Sequence, residues 1–67
     1  MIAGVAVDPW KVEIFKRHFD AAGFTYELID DDKTPLIKWF RVTCEGVAQI
    51  APIIKAAQDE CFRKRMN

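Results

Sequence analysis

Serine is absent from this sequence, and histidine occurs once, as His18. The first absence excludes a serine nucleophile, and a lone histidine cannot form a two-histidine metal site. The sequence also lacks a Cys-x-x-Cys pair, a phosphate-binding glycine loop and a dinucleotide glycine pattern. A chain of 67 residues offers little scaffold on which to preorganise a transition state. We therefore expect a protein that is not an enzyme and has no cofactor, catalytic residue or metal ligand.

Long apolar runs and an excess of charge are also missing. No apolar run approaches the roughly 20 residues that span a bilayer, and the N-terminal segment lacks the basic start and cleavage site of a signal peptide. The 10 Lys and Arg residues balance the 10 Asp and Glu residues, so the formal net charge is zero. Such a chain has no overall field to attract nucleic acid or an anionic membrane. We expect a cytoplasmic protein with no membrane partner, and nucleic acid is disfavoured as a partner.

The two cysteines are expected to be buried free thiols. Cys44 ends a predicted strand, whereas Cys61 lies late in the helix that follows, and both fall on apolar stripes. Because about 15 helical residues, or roughly 22 Å, separate the two positions, an internal disulfide is disfavoured. Free thiols agree with a reducing compartment.

The composition predicts one small folded domain that spans residues 1–67. Hydrophobic residues make up 51% of the chain and charged residues 30%, which is enough for a core and for solubility. A chain this short hides only about 60% of the surface that its unfolded form exposes. Its stability is therefore marginal, and association with a second copy is a reasonable expectation.

Hydrophobic periodicity predicts five secondary-structure elements. In chain order they are a strand at Ile2–Val7, a helix at 9–22, a strand at 24–30, a strand at 36–44 and a helix at 47–64. Asp8 and Pro9 mark the start of the first helix, and Gly23 is suited to a left-handed cap at its end. Within the second helix, Pro52 predicts a looser turn at 47–49 followed by a kink.

The polar segment from Asp30 to Pro35 predicts a hairpin loop between the second and third strands. Asp30, Asp31 and Asp32 are consecutive carboxylates without the glycine-spaced pattern of a calcium loop. We interpret them as solvated residues whose charge prevents edge-to-edge aggregation.

The order β-α-β-β-α predicts an α+β fold. A right-handed crossover followed by a hairpin places the third strand between the other two, in a three-stranded antiparallel or mixed sheet of order 1-3-2 with both helices on one face. This layout corresponds to a ferredoxin-like fold that lacks its last strand. The first strand then has a free edge, and one face of the sheet is uncovered.

The uncovered face is the candidate binding surface. Trp39 and Arg41 alternate on it along the central strand, and both residue types are common binding hot spots. The predicted binding residues are Trp39, Arg41, Ile37, Glu27, Thr25 and Ile29.

These residues favour a non-catalytic protein–protein interaction module of the adaptor or inhibitor type, which binds a second copy of itself or a foreign protein. One alternative is a regulatory domain that binds a small molecule at a dimer seam. A second and weaker alternative is a nucleic-acid-binding sheet, because such sheets stack bases on several aromatic residues and this face has one. The C-terminal Arg63, Lys64 and Arg65 could contact an acidic partner or a phosphate, although terminal charges are usually solvated.

Overall fold

The fold is seen in a computed structural model that describes residues 1–34 and 36–66. Its elements are β1 (Ile2–Val7), a 3₁₀ turn (Pro9–Lys11), α1 (Val12–Ala22), β2 (Tyr26–Asp30), β3 (Lys38–Thr43) and α2 (Val47–Met66). Pro35, which the sequence predicts to close the loop after β2, lies outside the described residues.

The three strands form one sheet in the order β1-β3-β2, and both neighbouring pairs are antiparallel. Alternating β-branched and aromatic residues in β3 suit a strand that pairs on both sides. The predicted small α+β fold, with its third strand in the centre and two helices, is confirmed. Of the two sheet types that the sequence left open, the antiparallel one is observed.

Both helices pack on the same face of the sheet. Phe40 of β3 is fully buried there, with its ring centroid 6.2 Å from that of Phe15 and 5.4 Å from that of Phe19 in α1. Ile50 and Ala57 of α2 belong to the same buried cluster. The core therefore lies between one sheet face and the helix layer, and the opposite face is left open.

The start of α1 differs from the prediction. Lys11 donates its backbone N–H to the carbonyl of Asp8 at 2.9 Å in the 3₁₀ turn, and the Asp8 side chain makes no capping hydrogen bond. That carboxylate lies 3.8 Å from the Lys11 ammonium instead. The end of α1 is as predicted, because Gly23 has φ 80° and Phe24 donates to the carbonyl of Phe19 at 3.0 Å.

Both strands of the hairpin are shorter than predicted. β2 begins at Tyr26, because Gly23 and Phe24 complete the helix cap. β3 begins at Lys38, because Ile37 donates its N–H to Thr34 at 3.0 Å within the loop. Leu36 consequently lies in a turn and is 72% exposed, whereas the predicted strand at 36–44 would place it on the same face as Phe40.

α2 is helical from Val47, so the predicted looser turn at 47–49 is wrong. The side chain of Gln49 accepts the backbone N–H of Glu45 at 2.8 Å and supports this first turn. Pro52 lies inside the helix. Although α2 has 20 residues, none of the helices in the described part of the chain is apolar enough to cross a membrane.

The two cysteines are buried free thiols, as predicted. Cys61 is 2% exposed on the inner side of α2, and burial raises the pKa of its thiol. Cys44 follows β3 and is 7% exposed. Their shared role in the structure is that of small apolar side chains in the core.

Candidate functional site

The uncovered sheet face brings together most of the predicted binding residues. Glu27 lies opposite Arg41 and Ile29 lies opposite Trp39 in the pairing of β2 with β3. Thr25 accepts the N–H of Thr43 from β3 at 2.9 Å, which extends the same register. Since Phe40 and Val42 point into the core, the alternating residues of β3 point outward.

Ile37 lies at the rim of this face. It directly precedes β3 and is half-buried. Together with Val7, Phe15 and Gln58 it lines a cavity of about 110 Å³ at the end of the sheet. The structure therefore places Ile37 beside residues of the helix layer, just before β3 begins.

Trp39 is held across the sheet by contacts on two sides. Its indole N–H donates to Asp31 at 3.0 Å. Beneath the ring lies Gly4 of β1, where a Cβ atom would stand 3.4 Å from the Cε3 and Cζ3 atoms of the indole. The absence of a side chain at Gly4 thus leaves room for the ring to lie against the backbone, and the carboxylate fixes its orientation.

Asp31 is itself anchored in the loop after β2. Its carboxylate accepts the backbone N–H groups of Lys33 at 2.8 Å and Thr34 at 3.1 Å. The hydrogen bond from Trp39, followed by these two from the backbone, holds the pKa of the Asp31 carboxyl below its ordinary value. The backbone of the loop therefore fixes the Asp31 carboxylate, and this carboxylate orients the indole of Trp39.

The acidic loop is exposed at Asp30 and Asp32, as the sequence predicts, but Asp31 is half-buried. Asp30 pairs with Lys38 across the hairpin. The sequence does indicate the turn at Asp31, because an Asp side chain often accepts the backbone N–H groups two and three residues further on, here those of Lys33 and Thr34. The hydrogen bond to Trp39 has no counterpart in local sequence, because it depends on the geometry of the hairpin.

Arg41 and Glu27 place opposite charges next to each other near the middle of the uncovered face. Both side chains are exposed. Among residues 1–34 and 36–66, neither forms an ion pair within 4.0 Å, although they are register partners. The face therefore presents the indole of Trp39 together with the exposed charges of Arg41 and Glu27, in addition to the Asp31 carboxylate that holds the indole N–H.

His18 has a structural partner that the sequence analysis missed. Its Nε2 lies 2.9 Å from Glu60 Oε1, and Arg17 forms an ion pair with the same carboxylate. These contacts lower the pKa of Glu60 to about 2, with the hydrogen bond from Arg17 as the largest cause and that from His18 as the next. The single imidazole thus joins α1 to α2. Glu60 was missed because 42 positions separate it from His18.

Within the part of the chain that the structure describes, no three His, Cys, Asp or Glu side chains are grouped as a metal ion requires. Comparison of the chain with protein-family models, with curated proteins and with solved structures gave no match. A function must therefore be inferred from the geometry of the chain itself.

Proposed function

We propose that the protein is a non-catalytic protein–protein interaction module, of the adaptor or inhibitor type, that forms a homodimer through its uncovered sheet face. The observation that supports this proposal is the fixed indole of Trp39 beside the exposed Arg41. Tryptophan and arginine are the residue types most enriched at binding hot spots. A ring that is already immobilised loses little conformational freedom when a partner covers it.

A second copy is the partner that the charges of the face favour. Arg41 and Glu27 lie side by side on neighbouring strands. When two such faces meet about a two-fold axis that runs along the strands, Arg41 of one copy is placed against Glu27 of the other, and the reverse contact forms by symmetry. The face is thus complementary to itself in charge, while Trp39 and Ile29 supply an apolar centre.

The small size of the chain also favours association. Its 67 residues form one sheet layer and one helix layer, so the outer face of the sheet has no cover among the described residues. A small chain also gains stability when a partner covers its apolar surface.

The same proposal describes the fold as a ferredoxin-like arrangement without its last strand and the protein as a cytoplasmic one. The β-α-β-β-α order and the central β3 support the first point. The free thiols Cys44 and Cys61 support the second, since disulfides form in oxidising compartments.

The first test is the solution mass of the chain, measured by light scattering over a range of concentrations. The wild type is expected to reach twice the monomer mass of 7.7 kDa, and Trp39→Ala is expected to remain monomeric with its circular dichroism spectrum unchanged. Leu36→Ala is the matched control, because Leu36 is a large exposed apolar residue in the loop before β3. A wild-type chain that stays monomeric at every concentration would contradict the proposal.

A charge exchange tests the two-fold arrangement directly. Arg41→Glu and Glu27→Arg each place like charges together across the dimer, so each single variant is expected to dissociate. The double variant restores both contacts and is expected to dimerise again. Thermal melting at a concentration low enough to keep the chain monomeric measures how each substitution changes the stability of a single chain. Double and single variants that dimerise equally would exclude this pairing.

A further inference from the structure

Two cations from distant parts of the sequence lie near the ring of Trp10. The Lys11 ammonium is 5.4 Å from the centroid of the Trp10 ring, and the Arg65 guanidinium carbon, near the end of α2, is 6.0 Å from it. The ring is 45% exposed. An aromatic face attracts cations, so Trp10 holds two positive groups near each other in spite of their repulsion.

The cations around Trp10 exceed the acids that face them. Lys64 joins Arg65 and Trp10 around an adjoining hollow of about 490 Å³. The nearest carboxylate to Lys11 is that of Asp8 at 3.8 Å, and in the described part of the chain Arg65 has no ion-pair partner. The helix dipole favours cations at the end of α2, but it gives no reason for an exposed indole from residue 10 to lie among them.

An open pocket beside Trp10 has an apolar wall as well as a charged one. Its volume is about 330 Å³, within the roughly 300–1,000 Å³ typical of small-molecule sites. Phe62 lines it and is 67% exposed, and Gln58 contributes an amide that can both donate and accept. The one carboxylate in the lining, Asp59, is paired with Lys55 at 3.2 Å, so its charge is partly offset from outside the pocket.

We infer that this pocket binds a free nucleotide, with its phosphates at Lys11 and Arg65 and its base against Phe62. Arginine and lysine supply the charge-assisted hydrogen bonds that phosphate oxygens prefer. An exposed aromatic ring gives a base a surface on which to stack, and the Gln58 amide lies within the same pocket to contact the base edge. A nucleotide is favoured over a lipid headgroup because the pocket has a flat aromatic wall next to its cations.

This binding site is separate from the sheet face and does not depend on the proposed dimer. Trp39 lies on the uncovered side of the sheet, whereas Trp10 contacts the end of α2 in the helix layer. Failure of one proposal therefore leaves the other intact, and Trp39→Ala is expected to bind nucleotide as the wild type does.

The test is a titration of the full chain with ATP at physiological salt, followed by ¹H–¹⁵N nuclear magnetic resonance. The two indole N–H groups are separate reporters: Trp10 is expected to shift with saturation and Trp39 to stay in place. Arg65→Ala should weaken binding by about tenfold, the loss typical of one charge-assisted hydrogen bond. Phe62→Ala should weaken binding of ATP but leave that of inorganic tripolyphosphate unchanged.

Arg63→Ala is the matched control, because it removes the same charge from the same helix at a position that does not line the pocket. It is expected to change the dissociation constant by less than about twofold. If Arg63→Ala and Arg65→Ala weaken ATP binding equally, the binding is nonspecific electrostatic attraction and the proposal is overturned. The absence of any Trp10 shift at millimolar ATP, or binding to phosphatidylserine vesicles without binding to ATP, would also overturn it.

Discussion

The two tryptophans of this chain form two unlike surfaces. Trp39 lies over a glycine in the sheet, and a carboxylate holds its indole N–H. Trp10 is 45% exposed in the turn before α1, with two cations near its ring. The surface around Trp39 carries charges of both signs, because the exposed Arg41 and Glu27 lie beside it, and such a mixed surface suits a protein partner. Cations near the Trp10 ring leave a positive surface, which suits an anion.

The largest expected effect comes from a substitution in the core, because both surfaces depend on the folded core. Phe40→Ala deletes a fully buried ring from the centre of the core, which typically costs about 3–5 kcal/mol. A small domain has a total stability of that order, so the variant is expected to be largely unfolded and to lose both surfaces.

The measurement for Phe40→Ala is urea denaturation followed by circular dichroism. Leu28→Ala is the control, since Leu28 is opposite Phe40 in the pairing of β2 with β3 but is 42% exposed. Its expected cost is about 1 kcal/mol or less. A cooperative transition at the wild-type urea concentration in Phe40→Ala would contradict the packing described for the core.

A change in the loop after β2 affects only the surface around Trp39. Asp31→Ala removes the acceptor of the indole N–H, so the ring becomes mobile and dimerisation is expected to weaken several-fold. Light scattering measures the association, and the Trp10 indole resonance is expected to stay unchanged. Asp32→Ala, the neighbouring exposed carboxylate, serves as the control. Equal dimerisation in both variants would show that the orientation of Trp39 has no part in association.

The smallest expected effect is a pH-dependent one on the contact between α1 and α2. Because contacts with Arg17 and His18 lower the pKa of Glu60 to about 2 from an ordinary 4.5, the ionised carboxylate stabilises the fold fully above about pH 4.5. That contribution is lost as the pH falls from 4.5 to about 2. Glu60→Gln should therefore melt below the wild type at pH 7 and together with it at pH 2.

Thermal melting across this pH range checks the prediction for Glu60. Glu13→Gln is the control, because Glu13 is an exposed carboxylate of α1 and has no ion pair among the described residues. A difference between wild type and Glu60→Gln that persists unchanged at pH 2 would show that the contact does not act through the charge.

The fold and the sheet face were predictable because they depend on local patterns. Alternation along β3 separates Phe40 from Trp39, and the glycine after α1 marks the end of that helix. Strand ends were less predictable: Leu36 continues the alternating pattern, yet the backbone turns at Ile37 to satisfy a hydrogen bond with Thr34. A side-chain pattern does not report where the backbone bonds lie.

The contacts around Trp10 and Glu60 could not be predicted from sequence. Trp10 and Arg65 come from opposite ends of the chain, and His18 meets Glu60 only because α1 packs on α2. Each residue has an ordinary interpretation on its own, as an exposed ring, a terminal charge or a solvated carboxylate. Their chemistry arises from the distance between them, which tertiary packing determines.

Pro52 is expected to divide α2 into parts that open at different rates. Since proline has no N–H, the carbonyl of Ala48 has no partner four residues on, and Ile50 and Ala51 have the two amides before the proline that can form regular helical bonds. Hydrogen exchange is therefore expected to be fast at Ala51 and slow from Ile53 onward. Ile50, fully buried within that first turn, is then held in place by the core it packs into more than by its own helix.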